Sequence, residues 1–232
     1  MSLENRQDTA DPARSTSNPV FSYTRRVPNR NVLILFAHPA LEKSRVHRRL
    51  VEAVRALPDV TFNDLYQHYP DMDIDVAREQ QLLAKHDVIV MQHPFYWYST
   101  PALIKEWEDL VLEHGWAYGR GGTALRGKTL LTATTTGGRE EAYGRNGHNR
   151  YTIREFLAPI ERTAVLCGMT YLPPFVIHGT HSLDDEDIAR HAGHYRRVVE
   201  ALRDGSLDPA SAEGEARLNT NLDAVLPKPA GN

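Results

Sequence analysis

NVLILFAHPALEKS, residues Asn31 to Ser44, is the stretch on which the reading of the fold turns. An apolar run of strand length, Val32 to Phe36, stops at Ala37-His38-Pro39, a short polar loop follows, and a helical pattern opens at Ser44. Strand, loop and helix N-terminus in that order are how α/β proteins seat a phosphate. Loop amides and the positive end of the helix dipole converge on one spot. Here the donors would be the Ser44 hydroxyl and the amides of Arg45, Val46 and His47, with His38 beside them. A bare helix cap at Ser44 with a structural His38 satisfies the same pattern.

Outward from this stretch, strand and helix patterns alternate. Val46, Leu50, Val54 and Leu57 recur at helical spacing, and Val60 to Tyr66 reads as a second, weaker strand. Ile74 to His86 reads as a helix, and Asp87 to Gln92 as a third strand, apolar on both faces as in the middle of a parallel sheet. Pro101 suits the first turn of a helix reaching about Glu113, with Ser99 or Thr100 as its cap. Lys128 to Thr135 is the fourth strand; Tyr151 to Cys167 is a helix with Pro159 as a kink; Tyr171 to Ile177 is the fifth strand. Asp184 to Leu202 closes the unit as an amphipathic helix carrying Ile188, Tyr195, Val198 and Leu202 on one stripe. The pattern predicts an α/β domain over residues 31–204, with a doubly wound parallel sheet of five strands. Residues 1–30 read as a flexible N-terminal extension, and 205–232 as a loose tail or an arm on a partner subunit.

Composition narrows the class. The chain has 232 residues, 41% hydrophobic and 25% charged, as in ordinary globular proteins. A net charge of -3 speaks against a broad nucleic-acid surface. The single cysteine, Cys167, excludes an intrachain disulfide framework and suits a reducing compartment. No run approaches membrane-helix length and the N-terminus has no signal-like apolar region, so a cytoplasmic protein is expected.

In a doubly wound sheet, ligands sit beyond the carboxyl ends of the strands, so the loops after strands one, three and four carry the function. The second of them, His93-Pro-Phe-Tyr-Trp-Tyr-Ser-Thr-Pro101, sets three aromatics in a row where a flat ring system could be stacked; they could equally anchor the loop on the core. The third, Thr135-Thr-Gly-Gly138, puts two glycines straight after a strand, where backbone amides can approach a ligand closely, or where the chain simply turns. Together the three loops describe a slot with phosphate at one end, aromatics along the side and amides at the far edge. A phosphorylated flat heterocycle fits such a slot, flavin mononucleotide (FMN) best.

These loops resemble those of the flavodoxin-like NAD(P)H:quinone oxidoreductase family. The nearest branch is the one that includes the cytoplasmic ancillary proteins of glutathione-gated potassium efflux systems. The blocks FAHPALEKS, LYQHYPDMDID, QHPFYWYSTPALIKEW, HGWAYGRGGTALRGK, TTTGG and YLPPFVIHGT run in family order from about Val32 to Leu202. The resemblance implies a flavodoxin-like fold with strand order 2-1-3-4-5 and helices on both faces. It implies bound FMN rather than FAD, NAD(P)H as co-substrate, and a homodimer that reduces a quinone or similar small-molecule acceptor by a ping-pong mechanism. It also implies an alternative role, a regulatory subunit docked on a potassium efflux antiporter at the inner face of the membrane. By position, His38 and Ser44, with Arg45, Val46 and His47, resemble the residues around the FMN phosphate; the nearest relatives often carry Asn at 47. Pro94, Phe95, Tyr96, Trp97 and Tyr98 resemble the loop along the isoalloxazine and ribityl chain. Thr135, Thr136, Gly137 and Gly138 resemble the loop on the pyrimidine side. Tyr143 and His148 look like the tyrosine and histidine that stabilise reduced flavin, His148 standing one residue closer to the tyrosine than in the family pattern.

Two further patterns point elsewhere. Gly122 to Thr129 satisfies G-x(4)-G-K-[ST], but its lysine leads into a strand instead of a helix, so nucleotide-triphosphate binding is not expected. His178, His181, His191 and His194 suggest a metal site, yet no cysteine or carboxylate pattern reinforces it, and surface or interface histidines are expected instead.

Overall fold

Every residue of Val32–Phe36 (β1) is buried, so this strand has neighbours on both edges and helices on both faces. The computed structural model describes residues 29–226 except 208 and 213. The expected N-terminal extension lies outside the described residues apart from Asn29 and Arg30, as do residues 227–232.

β1 pairs in parallel with β2 (Val60–Asp64) on one side and β3 (Val88–Pro94) on the other, and β3 pairs with β4 (Thr129–Thr135). The sheet order is β2-β1-β3-β4-β5, the doubly wound order expected. The fifth strand is not the continuous Tyr171–Ile177 the sequence suggests. β5 (Thr170–Tyr171) and β6 (Phe175–Ile177) pair separately with β4. Pro173 and Pro174 lie between them, and neither can donate a ladder hydrogen bond.

Alternation along the strands divides the core. Val32, Ile34, Phe36, Val88 and Val90 pack on one face with α1 (Arg45–Val54), which fits the helical spacing read from the sequence. Leu33, Leu35, Ile89 and Met91 face the other side. There they meet the short α2 (Leu65–His68), α3 (Val76–Lys85) and α4 (Ala102–Val111). Pro101 is itself the N-cap of α4, with no side-chain cap bond. The expected cap at Ser99 or Thr100 is not made; the helix starts one residue later, and the Ser99 backbone instead exchanges two hydrogen bonds with Tyr96 (2.9 and 3.0 Å).

The helix expected over Tyr151–Cys167 starts at a Thr152–Glu155 capping box and divides at Leu157 into α5 (Ile153–Phe156) and α6 (Ala158–Leu166). Pro159 has no amide hydrogen for the Glu155 carbonyl, which sets the break. α7 (Asp185–Arg203) buries the expected stripe of Ile188, Tyr195, Val198 and Leu202 against the β1 face, capped by Asp184 (2.8 Å from the Asp187 amide).

Beyond residue 204 the described chain keeps adding to the same core. Leu207, Leu218 and Leu226, with Leu222 and Val225 of α8 (Leu222–Val225), are buried in it. The Asn219 side chain accepts from the Val176 amide (3.0 Å) and donates to the Val176 carbonyl (2.8 Å), so it covers the open edge of β6. Among the described residues, no helix is long and apolar enough to cross a membrane.

Candidate functional site

The carboxyl ends of β1, β3, β4 and β6 open into one cavity of about 430 Å³. The β1–α1 loop supplies one end through His38, Ala40, Lys43, Ser44, Arg45 and Val46. Ser44 caps α1: its Oγ accepts from the His47 amide (3.1 Å), which leaves its own hydroxyl hydrogen to donate. The amides of Arg45 and Val46, in the first turn, have no intrahelical acceptor. The Arg45 guanidinium is spent on Asp185 (2.6 Å) and the Leu183 carbonyl (3.1 Å), which pins the start of α1 to the start of α7. His38 accepts from the Ala40 amide at Nδ1 (3.1 Å), so its ring hydrogen sits on Nε2. Burial lowers the His38 pKa against the opposing pull of Glu42, keeping it a neutral donor.

Pro94, Phe95 and Tyr96 form the side wall. The next two residues of the predicted aromatic loop do not line it. Trp97 and Tyr98 hold φ of 47° and 64° at the centre of a two-residue turn closed by the Tyr96–Ser99 bridge. Such turns normally use Asn-Gly, and each bulky residue there costs about 1–3 kcal/mol. The turn leaves Tyr96 on the wall, carries Trp97 out to 93% exposure, and stacks Tyr98 on Phe156 (centroids 5.2 Å).

Thr135 and Gly137 form the rim. Thr136 turns away from it, donating to the Gly138 carbonyl (2.8 Å) and lying 2.9 Å from His178 Nδ1. Tyr143 packs behind the glycines, its hydroxyl 3.3 Å from where a Cβ on Gly138 would stand. Its ring meets Phe95, and the imidazole beside it is His178 (centroids 5.2 Å). His148 is exposed and makes no ring contact with Tyr143. Burial, reinforced by Arg217, lowers the His178 pKa to about 4, so this imidazole is neutral. The His47 side chain likewise points away from solvent, 1% exposed, with its pKa held well below the usual value by burial and then by His38 and His93.

Thr180 and His181 complete the wall from the loop after β6. A Cβ on Gly137 would lie 2.8 Å from His181 Nε2, so only glycine leaves this close approach open. Lys43, Thr180, His181 and His178 were not among the residues the sequence singled out for the slot. The signal existed for the last three, because Ile177-His-Gly-Thr-His181 follows a strand at the same sheet edge that selected the other loops.

The decoy nucleotide motif behaves as its context indicates. Lys128 precedes β4 and donates to the carbonyls of His86 (2.6 Å) and Ala84 (3.2 Å), anchoring the start of that strand. Among the described residues no group of three or more His, Cys, Asp or Glu side chains is arranged to hold a metal ion.

A doubly wound parallel sheet with a cavity at its carboxyl edge, a helix N-terminus at one end and glycine at the rim defines the class: an α/β protein whose open sheet places its candidate ligand site beyond the carboxyl ends of the strands. Residues 30–199 match the family described as having a flavodoxin-like fold, and the chain belongs to that family. Three solved structures share substantial sequence with it. General stress protein 14 from Treponema denticola, in complex with FMN, is 40% identical over 74% of this chain and 99% of that one (TM-score 0.71). An NADPH-quinone reductase from P. pentosaceus is 33% identical over 72% and 96% (TM-score 0.67). A thermophilic tryptophan halogenase from Streptomycin violaceusniger is 46% identical over 72% and 96% (TM-score 0.69).

Proposed function

We propose that this chain is an FMN-dependent oxidoreductase that takes a hydride from NAD(P)H and delivers it to a quinone or similar acceptor in a ping-pong cycle. The observation that carries the reading is the convergence of three separate loops on one cavity: helix-end amides from β1–α1, an aromatic wall from β3–α4, and Gly137 at the end of β4. The names of two relatives, one seen with FMN and one an NADPH-quinone reductase, support it.

The residues present fit FMN. Ser44 and the amides of Arg45 and Val46 would hold the phosphate, with Lys43 adding positive charge at that end. Tyr96 and Phe95 would cover a flat ring on one side, and the close approach kept open at Gly137 would admit its polar edge. Bound flavin would supply the redox chemistry at its N5. The chain orients it, shields it from water and donates hydrogen bonds where negative charge grows. Tyr143, whose pKa burial raises, stays a protonated donor beside the glycines at physiological pH. Trp97, 93% exposed, offers an apolar face for the homodimer that the resemblance implies.

Purification tests the reading directly. The expected result is yellow protein that releases FMN on denaturation and bleaches anaerobically with NAD(P)H. Colourless protein that cannot be reconstituted with FMN overturns it. The 46% identity to a protein named as a tryptophan halogenase supports a second reading, in which the same slot serves halogenation of tryptophan. Halogenated tryptophan formed from reduced flavin, oxygen, a halide and tryptophan would favour that reading over quinone reduction.

A further inference from the structure

Behind the cavity wall, four polar side chains from four different elements stand in file. Tyr195 of α7 donates its hydroxyl to Gln92 Oε1 of β3 (2.9 Å). Gln92 Nε2 lies 3.4 Å from His47 Nδ1 of α1, and His47 Nε2 lies 3.0 Å from Thr135 Oγ1 of β4. Tyr195 and Gln92 are 0% exposed and His47 1%. Of the four, only Thr135 lines the cavity.

Donation can run in one direction along this file. Among the described residues the Tyr195 hydroxyl has a single hydrogen-bond partner, the Gln92 amide. Reversing that amide would set its NH₂ against the phenol oxygen and strand the phenol hydrogen, a buried donor with no acceptor. Oε1 therefore faces Tyr195, and Nε2 donates to His47. His47 Nδ1 must accept, so its one ring hydrogen sits on Nε2 and is given to Thr135. The Thr135 oxygen receives that hydrogen, and its own hydroxyl hydrogen is left to point out of the file, toward the cavity. A threonine without this backing could either donate or accept.

We propose that Tyr195, Gln92 and His47 are positioning residues that commit the Thr135 hydroxyl to donating into the cavity, so that the site selects a ligand presenting an acceptor oxygen at that point. The hydroxylated and phosphorylated tail of a flavin nucleotide is of that chemistry. The identity of the ligand rests on the cofactor reading above, whereas the polarity of the file does not.

The test begins with the cofactor-free, ¹⁵N-labelled wild-type protein. Long-range ¹H–¹⁵N correlations, with His47→Asn to assign the ring, should show His47 neutral with its hydrogen on Nε2. An Nδ1–H ring overturns the proposal. Tyr195→Phe, which keeps the ring volume, should release Gln92, shift the His47 signals toward the other tautomer, and weaken FMN binding about tenfold in a fluorescence titration of the cofactor-free protein. Unchanged tautomer and affinity in that variant would make the file mere packing and sink the proposal. Wild-type protein that fails to bind FMN, yet shows the stated ring and its shift in Tyr195→Phe, would refute the cofactor reading and uphold the polarity.

Discussion

Trp107 donates its indole N–H to a carboxylate oxygen of Glu79 at 2.9 Å, with both residues buried. Glu79 is 0% exposed and also accepts from Asn63 Nδ2 (2.9 and 3.1 Å) and the Tyr69 hydroxyl (2.8 Å), while pairing with Arg78. One buried charge thus ties β2, the end of α2, α3 and α4 into a single unit. A carboxylate in the core is tolerated only while its lone pairs are filled.

Removing one donor should therefore cost more than an ordinary hydrogen bond. Trp107→Phe keeps most of the apolar volume and deletes the N–H. It should lower the unfolding free energy by about 2 kcal/mol, within the range for bonds to charged groups. Urea unfolding followed by circular dichroism measures this. A change under about 0.5 kcal/mol would show that the indole contributes packing alone.

Gly137 lies under His181, and a methyl group at 137 would come 2.8 Å from its Nε2. Gly137→Ala must therefore push the imidazole or the rim, and FMN affinity should fall by about tenfold or more. The double variant Gly137→Ala/His181→Ala should recover part of that loss, because the methyl then has room. No recovery would place the damage in the loop backbone instead of the imidazole. Titration of cofactor-free protein with FMN reads both.

The sheet was legible because β1 and the first four residues of β3 are apolar on both faces, as a central parallel strand requires, and because each is followed by a loop and a helical stripe. The fifth strand was read too long because Pro173-Pro174 sits inside an apolar run, and periodicity alone does not register a missing donor. In the site, Ser44, Tyr96 and Gly137 were readable from local chemistry, a cap, an aromatic run and a glycine pair. The inward turn of His47 and the outward turn of Trp97 were not. One depends on Gln92 and Tyr195, far apart in sequence, and the other on two left-handed backbone positions occupied by non-glycine residues. The loop that carries His178 was signalled by its place after β6, but the pairing of His178 with Tyr143 comes from tertiary packing, which no spacing rule along the chain reveals.

Glu108 gives stability a readable pH dependence. It lines a small, mostly apolar cleft together with Leu112, Leu125, Leu130 and Met169. Burial raises its carboxyl pKa from 4.5 to about 7, with Lys105 opposing and Asp109 reinforcing. A carboxyl whose folded pKa exceeds its unfolded value holds its proton more tightly when folded. Its contribution is fullest below about 4.5 and is lost as pH climbs to about 7. Glu108→Gln abolishes that titration. Between pH 5 and pH 8 the wild type should lose about 2.5 kcal/mol relative to the variant, in urea unfolding at each pH. A difference independent of pH would mean that water reaches the carboxyl in the folded protein.

Tyr143 tests where the donors of the rim lie. Its hydroxyl stands 3.3 Å from a Cβ position on Gly138, and its ring lies 5.2 Å from His178, whereas His148 is exposed. Deleting the hydroxyl removes a donor that matters only as charge develops. Tyr143→Phe should slow anaerobic flavin reduction by NAD(P)H about tenfold, near 1.4 kcal/mol, while FMN affinity stays within about twofold. His178→Asn should slow the same step more than His148→Asn, because His178 holds Thr136 at 2.9 Å and packs on Tyr143. Stopped-flow absorbance of the flavin band separates reduction from binding. Unaltered kinetics in Tyr143→Phe would remove the phenol from the mechanism. A larger effect at His148 would require its loop to fold inward once cofactor or co-substrate is bound, which a structure of the loaded protein would show.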